Sequence, residues 1–216
     1  MMLNAYRTVA QPSAAEFIIN KSRFIGCAAP CQSEEEALAF IRSLKEAHRT
    51  ATHHCYAYVI GANAGIMRYQ DDGEPSGTAG LPIMEVLKAK ELVNLCVVVV
   101  RYFGGVLLGA GGLVRAYSKG AALAVDSAHV VMMEPSLSLH ADIPYPLWDK
   151  VQHRLKSLPV EQRDVSYAAS IQAELLVRVR DAQEVVDQLT QATDGRMEFV
   201  ESDPYYYGWP SDTPSA

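Results

Sequence analysis

Hydrophobic and polar residues alternate along much of the first half of the chain, and this alternation predicts strands. A period of two over residues 16–28 predicts a strand or bent hairpin, and the same period over residues 53–60 predicts another strand. After a turn, residues 66–70 are predicted to form the second strand of a hairpin with it. Residues 95–103 are apolar almost throughout and rich in valine, which predicts a central strand buried on both faces.

The helix that follows the first hairpin is predicted from its capping residues and its spacing. Ser33 and Glu36 form a capping box, in which the serine hydroxyl and the glutamate carboxylate satisfy backbone N–H groups of the first turn. Leu38, Ile41 and Leu44 follow at helical spacing. We therefore expect these three side chains to form the inner face of the helix.

Two more helices are predicted in the first half. Residues 81–90 carry apolar side chains at helical spacing, and the hydroxyls of Ser76 and Thr78 are available as caps. Another helix is expected from about residue 113 to residue 128, after a run of glycines. The mixture of strands and helices predicts an α+β fold class.

The second half repeats strand and helix patterns in the order βαββαβ, which is typical of a ferredoxin-like sandwich. The chain is therefore divided into domains at residues 1–132 and 133–203. Residues 204–216 include the aromatic run Tyr205-Tyr206-Tyr207-Gly208-Trp209 and are predicted to form a flexible tail. Docking of these aromatics on the domain or on a protein partner is the alternative.

Charge is distributed unevenly between the halves. Residues 1–132 carry 12 basic and 11 acidic side chains, whereas residues 133–216 carry 7 and 14. A formal net charge of −6 argues against a generic nucleic-acid binder, so any such contact is expected on a local surface. No apolar run approaches the roughly 20 residues that a membrane helix needs. A cytoplasmic protein without a membrane partner is predicted.

The clearest candidate site is a glycine-rich loop without acidic residues, since none lies between Glu91 and Asp126. Arg101, Arg115 and Lys119 add positive charge there. The loop contains five glycines, which allow close backbone approach: Gly104, Gly105, Gly109, Gly111 and Gly112. With the start of a helix just beyond them, a phosphate-type anion or an RNA backbone is the predicted occupant. The alternative is that the glycines serve only close packing.

Residues 71–80 form a second candidate site. Asp71, Asp72 and Glu74 could bind a divalent cation or serve as acid and base, but on the residues alone a solvated turn with helix caps is favoured. His53 and His54 begin the nearby strand and point to opposite faces, so only one of them can reach a given site. No cofactor, metal site or catalytic residue is assigned.

Four segments together resemble the signature of the IMPACT family (YigZ-like). These are KSRF at residues 21–24, ATHHCYAY at 51–58, DDGEPSGTAG at 71–80 and VVRYFGGVLLG at 99–109. The resemblance implies an N-terminal domain with the left-handed βαβ fold of domain 2 of a small-subunit ribosomal protein. It also implies a ferredoxin-like C-terminal domain, the same order as in the last two domains of elongation factor G.

That domain order makes ribosome or RNA contact the expected function. We expect a non-enzymatic, translation-associated regulator that binds RNA, the ribosome or another phosphate-bearing partner. The alternative is a metal-assisted hydrolase or small phospho-ligand enzyme using Asp71, Asp72, Glu74 and His54. The residues expected on one binding face are Lys21, Arg23, His54, Asp72, Glu74, Arg101, Gly104, Gly105, Gly109, Gly111, Gly112, Arg115 and Lys119.

Overall fold

The computed structural model describes residues 5–210, which form an α+β protein made of two compact units. The first unit contains Ala5–Met133 together with residues 208–210, and the second unit contains Glu134–Tyr207. The predicted fold class, α+β, is confirmed. No helix within residues 5–210 is both long enough and apolar enough to cross a membrane.

The first unit is built on a five-stranded sheet with the order β2-β3-β6-β4-β5, in which all neighbouring strands are antiparallel. The predicted hairpin β4–β5 is confirmed, and of the two alternatives for residues 16–28, a strand or a bent hairpin, the structure shows the hairpin β2–β3. The elements of this unit are β1 (Tyr6–Val9), β2 (Ser13–Ile19), β3 (Ser22–Pro30), α1 (Glu34–Ala47), β4 (His53–Ile60), β5 (Ile66–Gln70), α2 (Gly80–Ala89), β6 (Leu95–Tyr102) and α3 (Gly109–Ser127).

Strand β6 lies in the middle of this sheet and is covered on both faces. Val97 and Val99 pack with residues of α2 and α3, whereas Val98 and Val100 pack with residues of α1. All four side chains have an exposed fraction of 0%. The prediction of a central, doubly buried strand is confirmed, and burial of these β-branched side chains stabilises the unit by removing apolar area from water.

Helix α1 begins as its capping box predicts, because Ser33 accepts a hydrogen bond from the backbone N–H of Glu36 at 3.2 Å. Its buried positions are Ala37 and Ile41, which lie four residues apart on one stripe. Leu38, predicted to face inward, is 38% exposed because it lies next to that stripe, about 100° around the helix. That part of the prediction is wrong.

The second unit has the strand order β10-β7-β9-β8, with antiparallel neighbours and both helices packed in its hydrophobic core. The predicted ferredoxin-like order βαββαβ is confirmed. Strand β7 begins in the first unit, where residues 130–133 pair with β1. The elements are β7 (Val130–Ile143), α4 (Trp148–Leu155), β8 (Val160–Tyr167), β9 (Ile171–Arg178), α5 (Ala182–Ala192) and β10 (Glu198–Glu201).

The aromatic run near residue 205 is a strand, β11 (Tyr205–Pro210), which pairs with β7. The prediction of a flexible tail from residue 204 is therefore wrong for this segment, since aromatic residues favour a pleated, half-buried surface. Gly208 permits the close approach, because a Cβ there would lie 3.1 Å from Cγ2 of Val131. Trp209 is buried, with 6% of it exposed. Residues 211–216 lie outside the described residues.

Candidate functional site

The segment at residues 71–80, called the acidic turn below, connects β5 to α2 and is organised by Asp71. Its Oδ1 accepts hydrogen bonds from the backbone N–H groups of Ala79 at 3.0 Å and Gly80 at 2.8 Å. Its Oδ2 accepts from the N–H of Gly77 at 2.8 Å. Thr78 instead donates its hydroxyl to the carbonyl oxygen of Pro75 at 2.7 Å. The predicted cap by Ser76 or Thr78 is wrong, because a carboxylate from earlier in the chain satisfies the start of α2.

Asp72 connects the acidic turn to α1 and β4. Its Oδ1 lies 3.1 Å from Nζ of Lys45, and its Oδ2 accepts a hydrogen bond from the backbone N–H of His54 at 2.7 Å. Its carbonyl oxygen lies 2.9 Å from Nδ1 of His53, a spacing at which the ring N–H donates. The backbone of Asp72 is left-handed, with a φ of 43°. These contacts indicate a residue that closes the turn.

Glu74 is the centre of a buried polar network. Its Oε1 accepts hydrogen bonds from Nη1 of Arg101 at 2.6 Å and from the hydroxyl of Tyr117 at 2.7 Å, and Nε2 of His53 lies 3.8 Å away. Arg101 also donates to the hydroxyl oxygen of Ser22 at 3.3 Å. The exposed fractions are 9% for Glu74 and 4% for Arg101. Contrary to the expectation, Arg101 is not on an exposed face, because its guanidinium is drawn inward to the Glu74 carboxylate.

The neighbouring hydroxyl and thiol act as hydrogen-bond donors in this network. Burial raises the pKa of Tyr117 well above its usual value, with Cys55 and Glu74 adding to the shift. Burial also raises the pKa of Cys55 to about 12. Both groups stay protonated at neutral pH, and Cys55 donates to the carbonyl oxygen of Asp71 at 2.9 Å. They hold structure here and do not supply a nucleophile.

His54 lies on the opposite face of the sheet from Glu74. By strand alternation it shares its face with Tyr56 and Tyr58, which pack with α1, whereas Glu74 bonds to Tyr117 in α3. Its Nδ1 is 3.8 Å from Oδ2 of Asp72, and its buried Nε2 has no partner among the described residues. Burial lowers its pKa, against the opposing charge of Asp72. The expected common face for His54 and Glu74 is therefore not found.

The second candidate site, residues 104–112, is called the glycine loop below. Its first glycine lies against the β2–β3 turn: a Cβ on Gly104 would collide with the backbone of Lys21, and the Gly104 N–H donates to the Ser22 hydroxyl at 3.2 Å. Gly105 and Gly109 have left-handed backbones, with φ of 80° and 69°.

Helix α3 begins at Gly109 rather than near residue 113, so the predicted start is four residues late. Gly111 and Gly112 consequently belong to the first turn of the helix. Glycine has a low helix propensity, which is why the sequence favoured a longer loop. The beginning of α3 has no side-chain cap and no acidic residue in its first turn. Its first N–H groups are thus left with no carboxylate partner of the kind that Asp71 provides to α2.

Cationic side chains lie on the elements that flank the glycine loop. Lys21, Arg115 and Lys119 are exposed, and none of them forms an ion pair with another residue in the described part of the chain. Arg23 is also exposed, but it donates two hydrogen bonds to the carboxylate of Glu16, at 2.8 and 2.7 Å. The structure thus brings Lys21 beside Gly104 and leaves Arg115 and Lys119 on α3 without an ionic partner in the described chain, whereas Arg23 is already paired. The Nζ of Lys119 lies 4.8 Å from the ring centroid of Phe17.

Four residues of the buried network were not among the predicted site residues: Ser22, His53, Cys55 and Tyr117. The signal for Tyr117 was present, because it follows Leu113 by four residues on the buried stripe of α3, and a buried tyrosine hydroxyl needs a polar partner. Of the two adjacent histidines, His54 was predicted as the site residue and His53 was not. Nothing in the sequence pairs Ser22 with Arg101, which lies 79 residues later.

Within residues 5–210, no group of three His, Cys, Asp or Glu side chains is placed to hold a metal ion. The three carboxylates of the acidic turn diverge. Asp71 serves the start of α2, Asp72 serves α1 and β4, and Glu74 serves the buried Arg101. The donor set therefore has no common point at which a cation would be coordinated.

Comparison with known proteins agrees with this architecture. Residues 20–125 match the model of the Impact N-terminal domain, and residues 142–196 match a domain of unknown function, DUF1949. A crystal structure of a hypothetical protein aligns with a TM-score of 0.60 at 29% identity, covering 94% of this chain and 99% of that one.

Two bacterial relatives are similar in sequence. IMPACT family member YvyE of Bacillus subtilis (strain 168) is 38% identical over 205 residues, which is 95% of this chain and 94% of that protein. IMPACT family member YigZ of Escherichia coli (strain K12) is 47% identical over 104 residues, which is 47% of this chain and 51% of that protein. An IMPACT-type N-terminal part followed by a ferredoxin-like part is confirmed. The chain belongs to the IMPACT family.

Proposed function

We propose that this protein is a non-enzymatic, translation-associated regulator that binds RNA, alone or in the ribosome, through its glycine-loop face. That face consists of Lys21, Phe103, the glycine loop, Arg115 and Lys119. Family membership supports the translation-related role. The binding mode is supported by the side chains and the backbone of the face itself.

The observation that carries the proposal is the contrast between charge and pairing on this face. Lys21, Arg115 and Lys119 are exposed cations without ionic partners in the described chain, and no acidic residue lies between Glu91 and Asp126. The beginning of α3 adds unpaired N–H groups and the positive end of a helix dipole. A chain of phosphates complements each of these groups.

The second half of the chain supports a localised contact. Its 14 acidic and 7 basic side chains repel a polyanion, so they favour RNA contact at the glycine-loop face over contact elsewhere. Association should accordingly be weakened by salt, since each neutralised phosphate of a single strand contributes a slope of about −0.7 in log K against log salt.

The hydrolase alternative has less support. Its four candidate residues lie on two faces of the sheet, and each carboxylate already accepts hydrogen bonds from backbone or side-chain donors. The thiol of Cys55 does not add a thiolate nucleophile at neutral pH, because burial raises its pKa to about 12. The same side chains are suited to fixing the shape of the neighbouring loop.

The test is binding of a fluorescent single-stranded RNA measured by anisotropy across a salt series, with ribosome co-sedimentation alongside. We expect Arg115→Gln/Lys119→Gln to weaken binding and to make the salt slope shallower by about 1 to 2, because two phosphate contacts are lost. Lys150→Gln/Lys156→Gln removes two exposed charges from the second unit and should bind like the parent. Equal binding by both double variants would refute the proposed face.

A further inference from the structure

The glycine-loop face exposes apolar side chains as well as cations. Leu107 is 85% exposed, Phe103 is 44% exposed and Val106 is 40% exposed. These three residues lie within five consecutive positions, between the end of β6 and the start of α3. Scattered apolar side chains on a surface are ordinary. This short loop instead groups an aromatic ring and two aliphatic side chains next to exposed cations, which is typical of a binding surface.

The ring of Phe103 contacts the buried polar network through Arg101. The Arg101 guanidinium lies 5.3 Å from the ring centroid, and that guanidinium is itself fixed by Glu74 and Ser22. The backbone N–H of Phe103 donates to the hydroxyl oxygen of Thr52 at 3.0 Å. The buried network thus supports an aromatic ring whose remaining surface faces solvent. Little conformational freedom remains to be lost when a planar partner binds.

We propose that the partner is RNA with unpaired bases, and that Phe103 stacks on one base while Leu107 packs against the adjacent nucleotide. This inference rests on the proposed function, since Arg115 and Lys119 would neutralise the phosphates of the same strand. A duplex presents phosphates and 2′-hydroxyl groups but hides its base faces. An unpaired strand presents base faces and phosphates together, which matches both components of this face.

The charge around the apolar loop favours a polyanion over an electrically neutral protein partner. Lys21 lies beside Gly104, and Arg115 and Lys119 lie on the helix that follows the loop. All three are exposed without ionic partners in the described chain, and no acidic residue lies between Glu91 and Asp126. A purely apolar docking site would leave these cations without a counterpart. An exposed ring together with cations that have no ionic partner is instead the combination of groups that proteins use to stack bases and contact phosphates of a single strand.

The experiment compares three probes with the full-length protein at one salt concentration. They are a labelled uridine-rich single strand of about 16 nucleotides, an RNA duplex of the same length, and inorganic polyphosphate as a competitor without bases. We expect the single strand to bind about tenfold more tightly than the duplex, and polyphosphate to compete weakly. Phe103→Ala should lower single-strand affinity by about tenfold, and Leu107→Ser by a smaller factor, with duplex affinity unchanged in both.

The matched control is Tyr69→Ala on β5, which removes an aromatic side chain that is 50% exposed elsewhere in the first unit. It should bind all three probes like the parent. Leu107→Ser keeps the test decisive if Phe103→Ala lowers thermal stability, because Leu107 makes almost no contact that folding depends on.

Three outcomes would overturn the inference while leaving the proposed function intact. The first is equal affinity for single strand and duplex with the salt slope still sensitive to Arg115→Gln/Lys119→Gln. The second is unchanged single-strand binding by both Phe103→Ala and Leu107→Ser, and the third is the vesicle result given below. If none of the three probes binds in a salt-dependent way, the proposed function itself fails. Loss of binding to phosphatidylserine vesicles in Leu107→Ser, with RNA affinity unaffected, would assign the loop to a lipid surface and also overturn it.

Discussion

The acidic turn and the glycine loop lie in the same unit and both contain several glycines and charged neighbours, yet their charges are used in opposite ways. In the acidic turn, Asp71, Asp72 and Glu74 each accept hydrogen bonds from groups in the same unit. On the helix that follows the glycine loop, Arg115 and Lys119 are exposed and have no ionic partner in the described chain. The acidic turn stabilises the fold, whereas the glycine loop leaves its charges available to a partner.

What separates the two regions is whether their charged side chains have partners within the same unit. A cluster of carboxylates in a sequence is compatible with a metal site, an acid and base pair or a set of caps. Only the positions of donors such as the Gly80 N–H and the Arg101 guanidinium decide among them. Arg101 is the residue at which the two regions meet, because it binds Glu74 and supports Phe103.

The largest effect on this comparison is expected from Arg101→Met. The substitution leaves the Glu74 carboxylate buried without its cation, and breaking a buried ion pair from one side costs about 3–5 kcal/mol. The free energy of unfolding, measured in urea, should fall by about that amount. Arg101→Met/Glu74→Gln, which removes both charges, should recover part of the loss. A single variant as stable as the parent would mean that the pair does not hold the acidic turn in place.

A smaller loss is expected from Asp71→Ala. Three backbone N–H groups lose their acceptor, and each unsatisfied donor that water cannot reach costs about 1–3 kcal/mol. Urea unfolding should show a loss of about 1–3 kcal/mol overall, because water can reach the N–H of the partly exposed Gly77, whereas the N–H groups of the buried Ala79 and Gly80 stay without an acceptor. Arg115→Gln/Lys119→Gln should stay within about 0.5 kcal/mol of the parent. Equal losses of unfolding free energy in Asp71→Ala and in Arg115→Gln/Lys119→Gln would mean that the charges of the acidic turn and those of the glycine-loop face contribute alike to folding.

The smallest effect is expected from pH. Burial lowers the pKa of His54 in the folded protein relative to about 6.5 in an unfolded chain, so the unfolded state binds more protons in this range. Stability is therefore fully present above about pH 6.5 and decreases as pH falls from there toward the lower folded-state pKa. His54→Gln should flatten this part of a plot of unfolding free energy against pH. The exposed His153→Gln is the matched control and should leave the plot as in the parent.

The local parts of the fold could be predicted from sequence. The α1 cap depends on residues three positions apart, and the β4–β5 hairpin depends on a short turn, so both were found at the correct place. The second unit was also ordered correctly, because its alternation and helical spacing are strong. These features arise from interactions between near neighbours in the chain.

The parts that were missed depend on distant partners. The cap of α2 comes from Asp71, eight and nine residues before the N–H groups it serves. The pairing of Arg101 with Glu74 spans 27 residues and reverses the expectation that Arg101 is exposed. The start of α3 was placed late because glycine is a poor helix former, and tertiary packing overrides that preference. Neither helix propensity nor the spacing of apolar residues contains the positions of these distant partners.

Strand β11 has a consequence for the time course of synthesis. Gly208 lies against Val131 and Met133, yet it follows the whole second unit in the sequence. A ribosome that adds about 5–20 residues per second needs on the order of ten seconds to travel from Met133 to Gly208. During that interval the first unit lacks β11, the strand that carries the buried Trp209. The nascent first unit is therefore completed last, and a pause in translation between these two points would prolong the exposure of its unpaired edge.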